Sequence, residues 1–309
     1  MKPLHTVTPL WESDPLSEAL GARVRLKMEA FQPVGSFKIR GIGHACQQSC
    51  EAGASHLVSS SGGNAGYAAA YAARRLGVEA TIIVPETTSE RSRKLIQGEG
   101  ARVIEHGPSW DEAHAYGLDF AEQHGAVYIH PFDEPKVWSG HAALVEEVAE
   151  TGWKPDALVV SVGGAGLLCG ILEGLHRVGW TDVRIVATET RGAESFAASV
   201  EADRLVTLDR IASIAVTLGA RTVTPKALDW SRRHPIVPCV VSDREALEAC
   251  RRFAGDHRVL VELACGAALA AVYGRAEPLL GLEDVLVIVC GGAGVTLDLM
   301  DEWDARTAS

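Results

Sequence analysis

The chain has 309 residues, 47% hydrophobic and 22% charged, with a net charge of −11 and a pI near 5.5. That size allows one large or two medium domains, while the acidic balance argues against nucleic acid or an anionic membrane surface as partner. The seven cysteines lack C-x-x-C spacing, Met1–Leu10 lacks the apolar core of a signal peptide, and no apolar run is long enough to span a bilayer, so the expectation is a cytoplasmic protein with reduced thiols.

Residues 23–29 alternate in character and read as a short strand. Pro33 and Gly35 mark a turn, and Ser36 is placed to cap a helix that begins at Phe37 and runs to about Cys50. Short apolar runs at 56–60, 79–84, 101–105 and 127–130 then alternate with helix-patterned stretches at 64–76, 89–98 and 109–124. This is a βα repeat, which implies a parallel sheet flanked by helices. Two prolines in His130-Pro131-Phe132-Asp133-Glu134-Pro135 make that stretch the best candidate boundary. The pattern restarts with a strand at 157–162, a helix at 166–178 and a strand at 184–188, and closes with a strand at 285–290 and a helix beyond Gly294. Segment 200–240 yields no clear elements.

Two kinds of feature carry chemistry. Lys38 stands between Gly35 and Gly41 in a segment almost free of other charge. In a first helical turn, backbone N–H groups and the positive dipole end disfavour an ammonium, and a lysine that sheds its proton is a nucleophile. Taken alone, a surface lysine opening a helix is the better account. In addition, three apolar strands run straight into glycine, at Ser60-Ser61-Gly62-Gly63-Asn64-Ala65-Gly66, at Gly163-Gly164-Ala165-Gly166-Leu167 and at Cys290-Gly291-Gly292-Ala293-Gly294. Such loops gather at the carboxyl edge of a parallel sheet, and their N–H groups approach an anion closely. Glycine also makes tight strand-to-helix turns with no ligand, an equally good account for any single loop but a weaker one for three ending on the same edge.

A dinucleotide-binding oxidoreductase is the second reading. Gly164-x-Gly166 follows a strand, and Glu189 closes the next strand where a ribose-binding acid would sit. The third glycine falls at 170 rather than 169, however, and Lys38 is left without a purpose.

Together Gly35-Ser36-Phe37-Lys38-Ile39-Arg40-Gly41, the Ser60–Gly66 loop, the 163–167 loop, Cys290-Gly291-Gly292 and the late stretch Val261-Glu262-Leu263-Ala264-Cys265-Gly266-Ala267 resemble the serine/threonine dehydratase family. These are fold-type II, tryptophan-synthase-β-like pyridoxal-phosphate (PLP) enzymes, and within them the catabolic L-serine dehydratases are the nearest likeness. The resemblance implies two open parallel-sheet α/β domains, 1–40 with 142–309 and 41–141, with the cofactor in the cleft between them. It implies that Lys38 forms the Schiff base with PLP and returns as general base, and that Phe37 packs on a pyridine face. Asn64 would bond the ring oxygen, Gly163, Gly164, Ala165, Gly166 and Leu167 would cradle the phosphate, and Cys290 would face the ring nitrogen. The family usually has glycine where Ala165 stands, and a methyl there is tolerated if its φ is negative. A neutral thiol at Cys290 does not hold the ring nitrogen protonated, which weakens the electron sink and favours prompt loss of a β-leaving group.

By the same resemblance, Ser61, Gly62, Gly63, Asn64 and Ala65 would bind the substrate carboxylate. A monovalent cation such as potassium would be held by Glu189 and Ser195 through side chains and by Gly163, Ala193, Leu218 and Ala220 through carbonyls. The implied activity is elimination of water from L-serine and L-threonine, giving pyruvate or 2-oxobutanoate and ammonia, with the cofactor phosphate protonating the leaving hydroxyl. Glycine at 62 has no proton to give, so racemisation is expected to be minor. The chain stops shortly after its last predicted helix, so an isoleucine-controlled regulatory domain is not expected. PLP-dependent β-replacement is a further alternative, though its usual threonine in the Ser60–Asn64 loop is absent. Relatives suggest a homodimer by analogy. His44, His130 and His141 receive no role beyond structure.

Overall fold

Apolar runs that alternate with helix-patterned segments close into two separate sheets. The computed structural model describes residues 1–307. In chain order the first elements are β1 (Leu10–Glu12), α1 (Asp14–Leu20), β2 (Arg23–Lys27), α2 (Lys38–Glu51), β3 (His56–Ser59), α3 (Asn64–Leu76) and β4 (Glu79–Val84). There follow α4 (Glu90–Gly98), β5 (Arg102–Glu105), α5 (Trp110–Gln123), β6 (Val127–Tyr128), α6 (Pro135–Ala149), β7 (Ala157–Ser161), α7 (Gly166–Arg177) and β8 (Arg184–Thr190). The last are α8 (Ser195–Glu201), α9 (Pro225–Ser231), β9 (Ile236–Val241), α10 (Asp243–His257), α11 (Leu263–Tyr273), β10 (Asp284–Ile288) and α12 (Leu297–Thr307).

One sheet has the order β1-β2-β10-β7-β8-β9, parallel except for the antiparallel edge strand β1. The other has the order β5-β4-β3-β6 and is parallel throughout. Every residue of β7 is buried, as a parallel strand covered by helices on both faces requires. This is the two-sheet α/β architecture expected. No helix among the described residues is long and apolar enough to cross a membrane.

Several local expectations shift. The strand expected at 23–29 ends at Lys27, and Glu29–Phe31 forms a 3₁₀ turn. Ser36 does not cap α2: Phe37 holds that position without a side-chain bond, and the Ser36 hydroxyl is buried with no partner. Pro135 opens α6 at its first turn, where a missing N–H costs nothing, so the proline that reads as a breaker is a helix start. Segment 200–240 contains a 3₁₀ turn at Val216–Leu218, helix α9 and most of β9. Helix α11 shows no apolar face because all but its final residue is buried.

Candidate functional site

The three glycine loops do not share one edge. Two follow β7 and β10 of the six-stranded sheet, and the third follows β3 of the four-stranded sheet. Their carboxyl ends meet at a cleft lined by Phe37, Lys38, Asn64, Phe132, the 163–167 loop, Glu262 and Cys290.

Lys38 reaches this cleft because the backbone around it is tied to the last loop. Gly35 adopts φ +68, Ser36 pairs with Gly291, and Phe37 N donates to Cys290 O at 3.2 Å. Lys38 Nζ donates to Pro131 O at 2.8 Å, and no carboxylate pairs with it among the described residues. Burial pushes its ammonium down to about 8. Desolvation therefore does what the sequence reading assigned to the helix dipole. Phe37 lies beside this amine, 5.2 Å from Nζ to the ring centre, and its other neighbour is the His141 ring at 5.1 Å.

Asn64 opens α3 and points across the cleft. Its Oδ1 accepts from Ala293 N at 2.9 Å, and its Nδ2 donates to Glu262 Oε2 at 3.0 Å. One amide N–H is left over. In the preceding turn, Gly63 N donates to Ser61 Oγ at 3.3 Å, while the N–H groups of Gly62 and Asn64 meet no acceptor among the described residues. A Cβ on Gly66 would lie 1.8 Å from Ser61 O, so only glycine lets the loop turn this tightly into α3. A Cβ on Gly62 would meet Thr88 Oγ1 at 2.3 Å.

The 163–167 loop forms an anion nest. The N–H groups of Gly163, Gly164 and Ala165 donate to no acceptor among the described residues, and they sit at the N-terminus of α7 with no acidic residue in its first turn. Gly164 and Gly166 have a second duty, since a Cβ on either would strike Phe132, at 2.4 Å from its ring and 2.6 Å from its carbonyl oxygen. Ala165 has φ +67, not the negative value on which tolerance of its methyl was premised. This left-handed turn costs an alanine about 1 kcal/mol, which the buried loop sustains. An amine of lowered pKa facing a preformed nest of unpaired N–H groups fits an aldehyde cofactor bearing a phosphate.

Cys290 is buried at the end of the last loop. A bond to Cys265, and then burial, hold its thiol well above the ordinary range, so it is neutral. The seven cysteines are all free.

The residues expected to hold a cation come partly together. Ser195 Oγ donates to Ala220 O at 2.9 Å, and Leu218 Cα lies 3.2 Å from where a Gly163 Cβ would stand. Ala193 N donates to Thr190 O at 2.9 Å, just past Glu189. Glu189 is no solvated strand-end charge: it is buried, its two oxygens accept from Phe196 N and Ala197 N at 2.8 Å each, and burial pushes its carboxyl up to about 7. At 0% exposure it is not the accessible strand-end acid that a ribose hydroxyl would need, and Gly170 is explained by the Trp138 carbonyl 2.6 Å from its missing Cβ. No cluster of three or more His, Cys, Asp or Glu among the described residues could hold a metal ion.

Among the lining residues to which the sequence reading gave no site role, Phe132 and Glu262 bear most on the cleft. Phe132 covers the glycine loop, and Glu262 stands in the cleft without a cationic partner among the described residues. A lone acid after Val259-Leu260-Val261 was the available signal for Glu262. His44 bonds Gln48, His130 accepts from the Phe132 and Asp133 N–H groups, and both ring nitrogens of His141 are buried without a partner.

Comparison with known proteins agrees with this chemistry. The family model described as pyridoxal-phosphate dependent enzyme matches residues 1–291. The chain is 50% identical over 306 residues to the L-serine dehydratase/L-threonine deaminase of Homo sapiens, covering 96% of this chain and 93% of that protein. It is 50% identical over 312 residues to a serine dehydratase-like protein of Rattus norvegicus, with 97% and 94% covered. Among solved structures, the fungal L-serine ammonia-lyase of Rhizomucor miehei superposes with a TM-score of 0.91 at 37% identity, covering 98% of this chain and 99% of that one.

Proposed function

This chain belongs to the pyridoxal-phosphate dependent enzymes, and from that premise we propose that it is an L-serine/L-threonine ammonia-lyase, converting L-serine to pyruvate and ammonia and L-threonine to 2-oxobutanoate and ammonia. The observation that carries the reading is the meeting, in one cleft, of a partly deprotonated lysine, a free N–H nest and a neutral thiol.

The cofactor, when bound, supplies an electron sink that acidifies the α-hydrogen of an attached amino acid. Lys38 is both the attachment point and the base: with its pKa near 8, enough of it is neutral at ordinary pH to accept that proton at Nζ, with Pro131 O taking a hydrogen bond from the resulting ammonium. Gly163, Gly164, Ala165, Gly166 and Leu167 would hold the cofactor phosphate with N–H groups, Phe37 would pack on one side of its ring, Asn64 would offer its remaining N–H to the ring oxygen, and the neutral Cys290 thiol would meet the ring nitrogen without protonating it. The Ser61 hydroxyl and the N–H groups of Gly62, Gly63, Asn64 and Ala65 orient the substrate carboxylate. With glycine at 62, no side chain of that residue can return a proton from the opposite face, so elimination outruns racemisation.

Finer parts of the reading follow the same logic. Glu189, Ser195 and the carbonyls of Gly163, Ala193, Leu218 and Ala220 form the monovalent-cation site; oxygen donors suit an alkali ion, and a cation would hold Glu189 ionised. Residues 1–40 and 142–309 make the larger unit around the six-stranded sheet, and 41–141 the smaller one. The unpaired cysteines support a reducing, cytoplasmic setting, and the assembly is a homodimer.

The test is a visible spectrum of the purified protein before and after borohydride, followed by L-serine. The expected result is an imine band that borohydride fixes onto Lys38, with pyruvate and ammonia formed from serine. A protein that binds no PLP overturns the reading, and a yellow protein inert to serine and threonine moves it to β-replacement.

A further inference from the structure

The last glycine loop is built around a carboxyl group. Glu262 stands at the N-terminal boundary of α11 with 7% of its surface exposed, yet its side chain makes no capping bond to that helix. It turns instead into the cleft, where Oε1 accepts from Gly294 N at 3.1 Å and Oε2 accepts from Asn64 Nδ2 at 3.0 Å. Gly292 has φ +143, and a Cβ there would lie 2.1 Å from Glu262 Cγ. Only glycine lets this loop pass the carboxyl. The adjacent Ala293 N fixes the other end of the Asn64 amide. Glu262 and Ala293 together therefore decide which way the Asn64 amide faces, and so where its spare N–H points.

The groups facing Glu262 carry no positive charge. They are the Asn64 amide from α3, the Gly294 N–H, the Thr217 hydroxyl from the 3₁₀ turn, and the buried thiols of Cys250 on α10 and Cys290 after β10. Lys38 is the one Lys or Arg among the residues that line this cleft with Glu262. A buried carboxyl without a cationic side chain is costly unless it meets positive charge in the working complex or takes up a proton. Burial does push Glu262 above the ordinary carboxylate range, opposed by the Gly294 N–H and the Asn64 amide.

Resting on the reading that PLP joins Lys38, we propose that Glu262 is a positioning residue for the cofactor: it sets the Asn64 amide, and its negative charge favours the protonated form of the nitrogen linking Lys38 to PLP. Glutamine at this position keeps the shape but loses the charge, and its NH₂ group would face either the Gly294 N–H or the Asn64 NH₂ as donor against donor. Aspartate keeps the charge but cannot reach both donors.

The experiment titrates the visible absorbance of the holoenzymes of wild type, E262Q and E262D, alongside PLP affinity from fluorescence quenching and thermal melting. In E262Q the midpoint of the absorbance change is expected to fall by about one pH unit, and PLP to bind about tenfold more weakly. In E262D the midpoint stays near that of wild type while affinity drops. A purely structural role would lower the melting temperature of both variants and leave midpoint and affinity unchanged, and that result overturns the proposal. Should E262Q fail to fold, wild-type PLP affinity in E262D overturns it equally. A wild type that binds no PLP would refute the broader reading instead, so the two failures are distinguishable.

Discussion

Gly62 offers a test whose size follows from atomic positions. It is not among the glycines of positive φ, so a side chain there meets no backbone strain, only space. A Cβ would lie 2.3 Å from Thr88 Oγ1, 2.6 Å from Thr88 Cγ2 and 3.0 Å from Thr88 Cβ. All three contacts belong to one residue, half-buried on the turn after β4, which must rotate or shift. Overpacking of this kind costs about 1–3 kcal/mol, so Gly62→Ala should unfold at correspondingly lower denaturant. Thr88→Ala alone, half-exposed and with no side-chain bond, should change stability by about 0.5 kcal/mol or less. The double variant loses the two shortest of the three contacts and should recover at least about 1 kcal/mol of the deficit, a coupling expected only between touching residues. Serine turnover should follow if this turn binds the substrate carboxylate as proposed: reduced in Gly62→Ala and partly restored in the double variant. Chemical denaturation with pyruvate formation reads both quantities. Additive stability changes across the cycle, or full activity in Gly62→Ala, would refute the claim that Thr88 walls the substrate loop.

Arg40, two residues beyond Lys38 and 0% exposed, is paired with Glu29 and with Glu147, which also holds Lys27. Arg40→Met leaves the buried Glu29 carboxylate without a cation and Glu147 with Lys27 alone, and should cost about 3–5 kcal/mol, measured by denaturant unfolding. In the wild type, burial works against the Glu147 charge, but the bonds and charges of Arg40 and then Lys27 hold its carboxyl below the ordinary range, so its contribution is present above the unfolded-state pKa and is lost as pH falls through the lower folded value; an acid titration of the unfolding midpoint shows this. Because burial brings Lys38 to about 8, the rate of PLP capture by the cofactor-free protein should rise about tenfold per pH unit below that value and level off above it, as followed by borohydride-fixed absorbance. Glu189, pushed up to about 7, should bind a monovalent cation more weakly as pH falls through that value, because protonation removes the charge. Potassium should accordingly raise the melting temperature of the wild type at pH 8 more than at pH 6, and should leave that of Glu189→Gln unchanged at either pH.

What the sequence determined by itself was the local grammar and the chemistry written in short motifs. The βα alternation, α3 at 64–76 and β4 at 79–84 were legible because apolar periodicity and glycine placement are properties of neighbouring residues. Lys38 and the three glycine loops were legible as separate motifs for the same reason, while their meeting in one cleft was implied only by the family resemblance. Tertiary structure decided what each feature serves. The loops divide between two sheets, because strand order depends on contacts far apart in the chain. Helix α11 gave no apolar stripe, since a helix buried on nearly every side has no polar face to contrast. Burial, not the helix dipole, lowers the Lys38 ammonium, and its depth is unreadable from Gly35–Gly41 alone. Ser36 has the identity of a cap but not the geometry of one, and Ala165 takes the left-handed turn its methyl disfavours. The loop at 290–294, read as a ligand cradle, closes around Glu262 from nearly thirty residues earlier. A residue's type is local, but its desolvation and its partners are set by the whole chain, and the chemistry of this cleft rests on both.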